Sequence, residues 1–193
     1  MKLKNLESYK LVLASESPRR QMLLKDMGFD FTVRPARIKE YFPEELGMTA
    51  IPEYLAQLKA DSLKDTIAED ELLITADTIV WKDQQVLTKP ASKDDALRML
   101  HLLSGAQHQV ITGMTLQSQR KKISFHAVTE VWFDDLSDQE ILYYVENYKP
   151  FDKAGAYGIQ EWIGYIGIEK IEGSFYNVMG LPVHQLYHHL KQF

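Results

Sequence analysis

Residues 72–81, with the sequence LLITADTIVW, constrain the fold of this chain more than any other segment. The run is almost continuously apolar and rich in β-branched residues, which is typical of a strand covered on both faces. Asp77 is the one ionisable residue inside it. Buried charges are normally paired or bound to metal, because removing an isolated charge from water is costly. Two interpretations stay open: Asp77 caps a turn or meets an arginine, or the strand presents it as a metal-binding or basic carboxylate.

Length and composition limit the classes of protein to consider. The 193 residues fit one large domain, so we predict a single domain over residues 1–193. The absence of cysteine excludes a disulfide scaffold, a thiolate zinc site and a cysteine nucleophile. A net charge of −5 argues against non-specific nucleic-acid binding. No apolar run reaches the ~20 residues of a membrane span and the N-terminus lacks a signal-peptide pattern, so we expect a cytoplasmic protein.

The segment after the first predicted strand, residues 9–15, has the features of an anion site. Ser17 and Pro18 predict a helix start, with serine as the cap and proline in the first turn. Arg19 and Arg20 then lie in that turn, where cations oppose the helix dipole. A phosphate bound between them would explain both arginines. The alternative is a pair of solvated surface arginines, and the glycines of a Walker loop are missing.

Strands and helices alternate along the rest of the chain. The apolar periodicity predicts further strands at 29–35, 107–117, 123–133 and 163–171, and helices at 49–65, 92–104 and 182–191. Residues 83–85 predict a hairpin turn, and residues 173–180 a loop. Because hairpin strands are antiparallel, the class is α/β with a mixed sheet.

One more helix is predicted to begin at Ser137, where the sequence SDQE is a capping box. The spacing of its apolar residues predicts a buried face formed by Ile141, Leu142, Val145 and Tyr148.

His184 and His188 stand four residues apart on the last predicted helix, a spacing that can bind zinc. The glutamate of the HExxH pattern is absent and the sequence offers no obvious third ligand. We therefore interpret them as surface histidines.

Seven blocks follow one another in a characteristic order: residues 14–20 (ASESPRR), 76–78 (ADT), 89–90 (KP), 103–105 (LSG), 112–113 (TG), 152–160 (DKAGAYGIQ) and 177–182 (NVMGLP). Together they resemble the Maf family, over essentially the whole chain. The resemblance implies a twisted mixed β-sheet flanked by helices, in two lobes with a central cleft, similar to inosine-triphosphate pyrophosphatases. It also implies hydrolysis of a nucleoside triphosphate, with Mg²⁺ or Mn²⁺, to the monophosphate and pyrophosphate.

The resemblance assigns roles to individual residues. Asp77 matches a catalytic carboxylate that accepts a proton and lies close to the metal, and Glu40 matches a second acidic residue at the metal. Lys59 and Lys89 match two lysines of the cleft. Residues that match the phosphate-binding turn or positions linked to substrate choice are Ser15, Arg19, Arg20, Thr78 and Gln160.

The sequence also bears on the substrate. Residues 157–160 (YGIQ) resemble the dTTP/UTP pyrophosphatase subgroup, so we expect hydrolysis of dTTP and UTP, with CTP or modified pyrimidine nucleotides as further candidates. The amide of Gln160 can donate and accept hydrogen bonds, which matches N3–H and O4 of uracil or thymine. Cytosine presents the reversed pattern, and a flipped amide would suit it. Discrimination therefore requires a second contact that fixes the amide.

Two departures and two alternatives accompany this interpretation. The family often has an acidic pair where this chain has Lys39 and Glu40, which leaves the number of metals open, and a glycine where it has Thr88. The alternatives are the same chemistry on a modified purine triphosphate, and a non-catalytic nucleotide-binding division regulator. The resemblance also implies a homodimer, with a nucleoside triphosphate as partner and neither nucleic acid nor membrane.

Overall fold

The computed structural model describes residues 3–193, which divide into two compact units. Of the described residues, unit 1 comprises 3–77, Thr112–Ala127 and Gly180–Phe193, and unit 2 comprises Thr78–Ile111 and Val128–Met179. None of the helices in the described residues has the length and apolar character needed to span a membrane.

Seven strands form one mixed sheet: β1 (Lys10–Leu13), β2 (Phe31–Val33), β3 (Glu71–Lys82), β4 (Gln85–Leu87), β5 (Gln107–Gln117), β6 (Lys122–Phe133) and β7 (Ile168–Glu172). Their order is β2-β1-β3-β5-β6-β7, with β4 paired to β3. β1 is parallel to β2 and β3, whereas β4 is antiparallel to β3 and β7 is antiparallel to β6. The predicted α/β class with a mixed sheet is confirmed.

Within residues 3–193, seven α-helices accompany the sheet: α1 (Pro18–Asp26), α2 (Ala50–Ser62), α3 (Lys93–Leu103), α4 (Asp138–Tyr148), α5 (Trp162–Gly167), α6 (Phe175–Val178) and α7 (Val183–Gln192). Short 3-10 helices cover Lys4–Leu6, Lys64–Thr66 and Ala154–Ala156. The predicted caps Ser17, Ser92 and Ser137 each accept a backbone N–H from the first turn of their helix. At Ser137 the capping box is complete, because the Glu140 side chain also accepts from the Ser137 backbone N–H.

β3 is the buried strand that residues 72–81 predict. Its residues 72–77 are buried, and it lies between β1 and β5 in the sheet. Leu13 of β1 aligns with Ile74, and both side chains are fully buried. Thr75 satisfies its buried hydroxyl by donating to the carbonyl of Ala56 on α2, at 2.7 Å. The side chain of Asp77 is therefore presented from a rigid, covered strand.

In unit 1, α2 packs against β5 with no space for a side chain at Gly113. A Cβ there would lie 2.2 Å from the carbonyl carbon of Pro52 and 2.3 Å from the backbone nitrogen of Glu53. The carboxylate of Glu53 also contacts Nδ1 of His126 on β6. Any larger residue at position 113 would push the first turn of α2 away from the sheet.

The prediction of a strand over residues 163–171 is wrong in its first half, which forms α5. This helix requires glycine at position 164. A Cβ there would lie 1.9 Å from the carbonyl oxygen of Ile159, too close for any other residue. Its backbone N–H donates to the Glu161 carbonyl at 2.9 Å. The loop predicted over residues 173–180 is wrong at Phe175–Val178, where α6 forms and its cap Ser174 accepts from the backbone of Asn177.

The buried face of α4 is only partly the predicted one. Ile141 and Val145 are fully buried, as predicted. Leu142 and Tyr148 are 40% and 38% exposed, so their predicted burial is wrong, and Tyr144 is buried instead. The observed stripe of Ile141, Tyr144 and Val145 follows the i, i+3, i+4 spacing of one helix face.

A buried histidine in unit 2 makes stability depend on pH. His108 of β5 is 2% exposed, and its Nε2 lies 2.7 Å from the Tyr157 hydroxyl. Burial, together with the positive charge of Lys82, lowers the pKa of His108 from 6.5 to about 3. Between these values the unfolded chain binds a proton that the folded protein excludes. Stability contributed by neutral His108 is therefore present above about pH 6.5 and is lost as the pH falls toward 3.

We expect His108→Phe to weaken the acid dependence of stability. Between about pH 7 and pH 5 the wild-type free energy of unfolding should fall by about 2 kcal/mol more than that of the variant. Urea denaturation at the two pH values measures this difference. His101→Gln is the control, since that ring is half-exposed on α3. Equal losses in wild type and His108→Phe would contradict the assignment.

Candidate active site

The turn between β1 and α1 is organised by two serines. Ser17 caps α1 by accepting the backbone N–H of Arg20. Ser15, which is buried, accepts the backbone N–H of Ser17 through its hydroxyl at 3.2 Å. Its carbonyl accepts from the side-chain amide of Gln21 at 3.3 Å. The helix therefore starts where the sequence predicts, with the two arginines in its first turn.

Arg20 is held in place by its surroundings. Its Nε donates to the Gly180 carbonyl at 2.8 Å, and its Nη1 lies 3.4 Å from the Ser15 hydroxyl. Gly180 has φ of 104°, a conformation that favours glycine and that directs this carbonyl. Burial lowers the pKa of Arg20, whereas the charges of Asp77 and Glu40 raise it. The interpretation of Arg20 as a solvated surface residue is wrong; Arg19 is half-buried beside it.

The buried carboxylate of Asp77 meets a lysine. Lys59 of α2 contacts Oδ1 of Asp77, and its Nζ also lies 2.8 Å from Oε1 of Glu40. The side chains of Lys59 and Asp77 are each 9% exposed, whereas that of Glu40 is 42% exposed. One buried ammonium therefore joins two carboxylates from distant parts of the sequence. Asp77 lies inside β3 and contacts a lysine, so its interpretation as a turn cap is wrong, whereas the charge of Arg20 does act on it.

Asp77 is electrostatically perturbed by this environment. Burial raises the pKa of Asp77, and the ammonium of Lys59 opposes that effect. The negative charge of Glu40 raises the pKa further, and Arg20 lowers it. A carboxylate whose pKa is raised is a stronger base than an ordinary aspartate once it is ionised. Such perturbation is typical of functional sites, although buried ion pairs also produce it.

The same carboxylates have the chemistry of a magnesium site. Among residues 3–193 no cluster of three or more histidine, aspartate or glutamate side chains could hold a metal. Mg²⁺ is nevertheless often bound through one or two carboxylates, with water and substrate phosphates as the remaining ligands. Glu40 and Asp77 supply two such oxygen groups that already converge on one cation, the ammonium of Lys59. Their chemistry therefore fits Mg²⁺ or Mn²⁺.

The other predicted site residues belong to unit 2. Thr78 follows Asp77 on β3 and is half-buried, and Lys89 is exposed in the segment after β4. Gln160 is half-buried in the segment before α5, and its Oε1 is buried without a hydrogen-bond partner among the described residues. We predict that these three residues act on one substrate together with the predicted site residues of unit 1, and this stays a prediction.

Sequence reasoning missed two residues that hold others in place, Gly180 in unit 1 and Lys153 in unit 2. Gly180 holds Arg20 through its carbonyl, and the only signal for it is the block at residues 177–182. Lys153 is buried, with its Nζ 2.8 Å from Asp152 and 3.0 Å from Glu161. It lies in the block at residues 152–160, where a lysine beside an aspartate is also typical of a surface pair.

His184 and His188 are exposed on α7, as predicted, with their Nε2 atoms 3.2 Å apart. No third ligand accompanies them in the described part of the chain. The structure gives them no metal-binding role.

Comparison with known proteins identifies close relatives. The profile of the family described as "Maf-like protein" matches residues 10–193. A dTTP/UTP pyrophosphatase of Parabacteroides distasonis is 55% identical over 99% of this chain and 100% of the relative. dTTP/UTP pyrophosphatases of Phocaeicola vulgatus and Bacteroides thetaiotaomicron are 54% and 51% identical, over 98% of this chain and 99% of each relative. The solved structure of the Staphylococcus aureus Ham1 protein aligns with a TM-score of 0.43 and 15% identity, over 65% of this chain and 72% of that chain.

We expect Lys59→Met to destabilise the protein by about 3 kcal/mol near neutral pH, because it leaves the Asp77 carboxylate buried without its cation. The loss should shrink as the pH falls and Asp77 takes up a proton. Excess Mg²⁺ should also restore part of the stability, since a divalent ion can replace the ammonium between the carboxylates.

Urea denaturation with and without Mg²⁺ tests this prediction, and Lys64→Met, at an exposed position, is the matched control. A Lys59→Met protein as stable as the control, or one indifferent to Mg²⁺, would contradict the proposed arrangement.

Proposed function

We propose that this chain, which belongs to the Maf family, hydrolyses dTTP and UTP between the α- and β-phosphates to the monophosphate and pyrophosphate. The observation that carries the proposal is the ion triplet in which the buried Lys59 joins the buried Asp77 to the partly exposed Glu40. Relatives named dTTP/UTP pyrophosphatase, more than half identical over nearly the whole chain, support the choice of substrate. No observation favours a modified purine triphosphate or a non-catalytic regulator.

The positive side chains have a clear task in this reaction. A nucleoside triphosphate carries about four negative charges, which repel an attacking nucleophile and grow on the leaving pyrophosphate. Arg20 is fixed by Gly180 and Ser15, so its guanidinium is preorganised for phosphate binding. Arg19, in the same first turn, adds to this anion site. We assign Lys89 to the phosphates as well.

The carboxylates would hold a divalent ion and a proton. We propose that Glu40 and Asp77 are the protein ligands of Mg²⁺ or Mn²⁺, as their convergence on Lys59 supports. When bound, the ion neutralises phosphate charge and makes water a better nucleophile. Asp77, with its raised pKa, accepts the proton of the attacking water. Lys59 keeps this carboxylate ionised and correctly placed.

Gln160 is proposed to recognise the base. Its Oε1 is buried without a hydrogen-bond partner among the described residues, so it is a ready acceptor for N3–H of uracil or thymine. Its Nε2 would donate to O4 of the same base. We propose Thr78 and Arg19 as further residues that affect substrate choice.

The remaining assignments follow from the same proposal. We propose that residues 1–193 act as one functional domain in the cytoplasm, with a nucleoside triphosphate as the only partner the site requires. A homodimer stays a prediction.

We expect Asp77→Asn to lower kcat on dTTP by about 10²- to 10⁴-fold, because it removes the base and a metal ligand. Nucleotide should still bind through the arginines. Pyrophosphate release with Mn²⁺ measures turnover, and calorimetry with a non-hydrolysable dTTP analogue measures binding. Asp83→Asn, in the exposed turn after β3, is the control. Substantial activity left in Asp77→Asn would show that the centre is misassigned.

We expect Gln160→Ala to lower the preference for dTTP over CTP by about tenfold, because one bidentate contact to the base is lost. The ratio of kcat/KM for the two nucleotides is the measurement, with UTP, ITP and 7-methyl-GTP in the same panel. Gln85→Ala, at an exposed position of β4, is the control. A ratio that does not change would remove Gln160 from base recognition. Pyrophosphate from purine nucleotides alone would overturn the pyrimidine assignment.

A further inference from the structure

Gln160 is carried by a tight turn in unit 2. The backbone N–H of Glu161 donates to the carbonyl of Gly158 at 3.0 Å, which closes a four-residue turn over residues 158–161. Gln160 is the third residue of that turn. The hydroxyl of Tyr165 on α5 donates to the Gln160 carbonyl at 2.9 Å, so the backbone of Gln160 is held from outside the turn as well.

A single buried hydroxyl ties the two ends of this turn together. The hydroxyl of Tyr144 on α4 accepts the backbone N–H of Gly158 at 3.0 Å and donates to Oε2 of Glu161. Tyr144 is fully buried, and burial raises its pKa above the ordinary value, so the phenol stays protonated. The other carboxylate oxygen, Oε1, lies 3.0 Å from the ammonium of Lys153. The carboxylate of Glu161 is thus fixed on both sides.

The same carboxylate lies near the amino group of the Gln160 amide. A Cβ on Gly158 would lie 2.9 Å from Nε2 of Gln160 and 3.0 Å from Oε2 of Glu161, so these two atoms lie about 6 Å apart at most. A negative charge attracts the N–H groups of an amide and repels its oxygen. Flipping the amide would turn Oε1 toward Glu161, which costs electrostatic energy. The charge of the carboxylate therefore favours one of the two amide orientations.

We propose that Tyr144 and Glu161 are positioning residues that fix the orientation of the Gln160 amide and so determine the preference for uracil and thymine over cytosine. This inference rests on the proposed function, in which Gln160 contacts the base. Tyr144 acts on the position of the turn, and Glu161 acts on the amide by its charge. Neither residue needs to touch the substrate.

Two variants separate these effects from loss of folding. Glu161→Gln keeps the size and the acceptor for Tyr144 but removes the charge, and Lys153 retains its contact with Asp152 at 2.8 Å. Tyr144→Phe keeps the ring and removes the bridging hydroxyl. Each should lower the dTTP-to-CTP ratio of kcat/KM about fivefold, the equivalent of one ordinary hydrogen bond. The control is Tyr148→Phe, since that ring stacks on Tyr144 at 5.1 Å but is 38% exposed.

Action through Gln160 is tested by combining variants. In a Gln160→Ala background, Tyr144→Phe should cause no further fall in the ratio. NMR of the Gln160 side-chain amide provides a measurement independent of turnover. The wild type should give one pair of sharp NH₂ resonances, which broaden in Glu161→Gln and Tyr144→Phe but not in Tyr148→Phe.

The outcomes distinguish this inference from the proposed function. If Gln160→Ala lowers the ratio whereas Glu161→Gln and Tyr144→Phe leave it unchanged, the positioning role is overturned and the pyrophosphatase assignment stands. Unchanged amide resonances in both variants would also overturn the positioning role, whatever the enzyme hydrolyses. If the wild type releases no pyrophosphate from dTTP or UTP, the proposed function is overturned. In that case, broadened amide resonances in Glu161→Gln and Tyr144→Phe would still support a fixed orientation of the Gln160 amide.

Discussion

The contact between Lys59 and Asp77 is the interaction on which the proposed chemistry of unit 1 depends. A carboxylate inside an apolar strand tends toward its neutral form, and burial does raise the pKa of Asp77. The ammonium of Lys59 opposes this, and it holds Glu40 at the same time. A buried ion pair is weak support for stability, since desolvation offsets much of the attraction. The presence of this ion pair at a well-packed strand is therefore better explained by the proposed function than by a gain in stability.

Local signals in the sequence were enough to locate most of this arrangement. The apolar run at residues 72–81 is a buried strand, and Ser17 caps the helix that carries Arg19 and Arg20. The partner of Asp77 could not be predicted from local pattern, because Lys59 lies 18 residues away on another element. Its position depends on how α2 packs on the sheet. Periodicity describes one element at a time and contains no information on that contact.

The wrong predictions have related physical causes. Residues 163–171 contain isoleucines at spacings that suit both a helix and a strand. The helix forms at the first of these residues because Gly164 allows a close approach to the backbone of Ile159. On α4 several apolar residues compete for the buried face, and Tyr144 is buried because its hydroxyl has partners there. A buried tyrosine needs such partners. Those partners, Gly158 and Glu161, lie in a turn that only the folded chain brings to α4.

Gly113 shows how strictly a position without any functional group can be constrained. It contributes no charge, no hydrogen-bonding side chain and no apolar surface, yet the backbone of Pro52 occupies the place where its Cβ would be. The helix that begins there also carries Lys59. A screen for inactive variants would therefore report this glycine beside the charged residues, and its loss would resemble the loss of a reactive group. Such a variant would displace the start of α2 and, with it, the ammonium of Lys59.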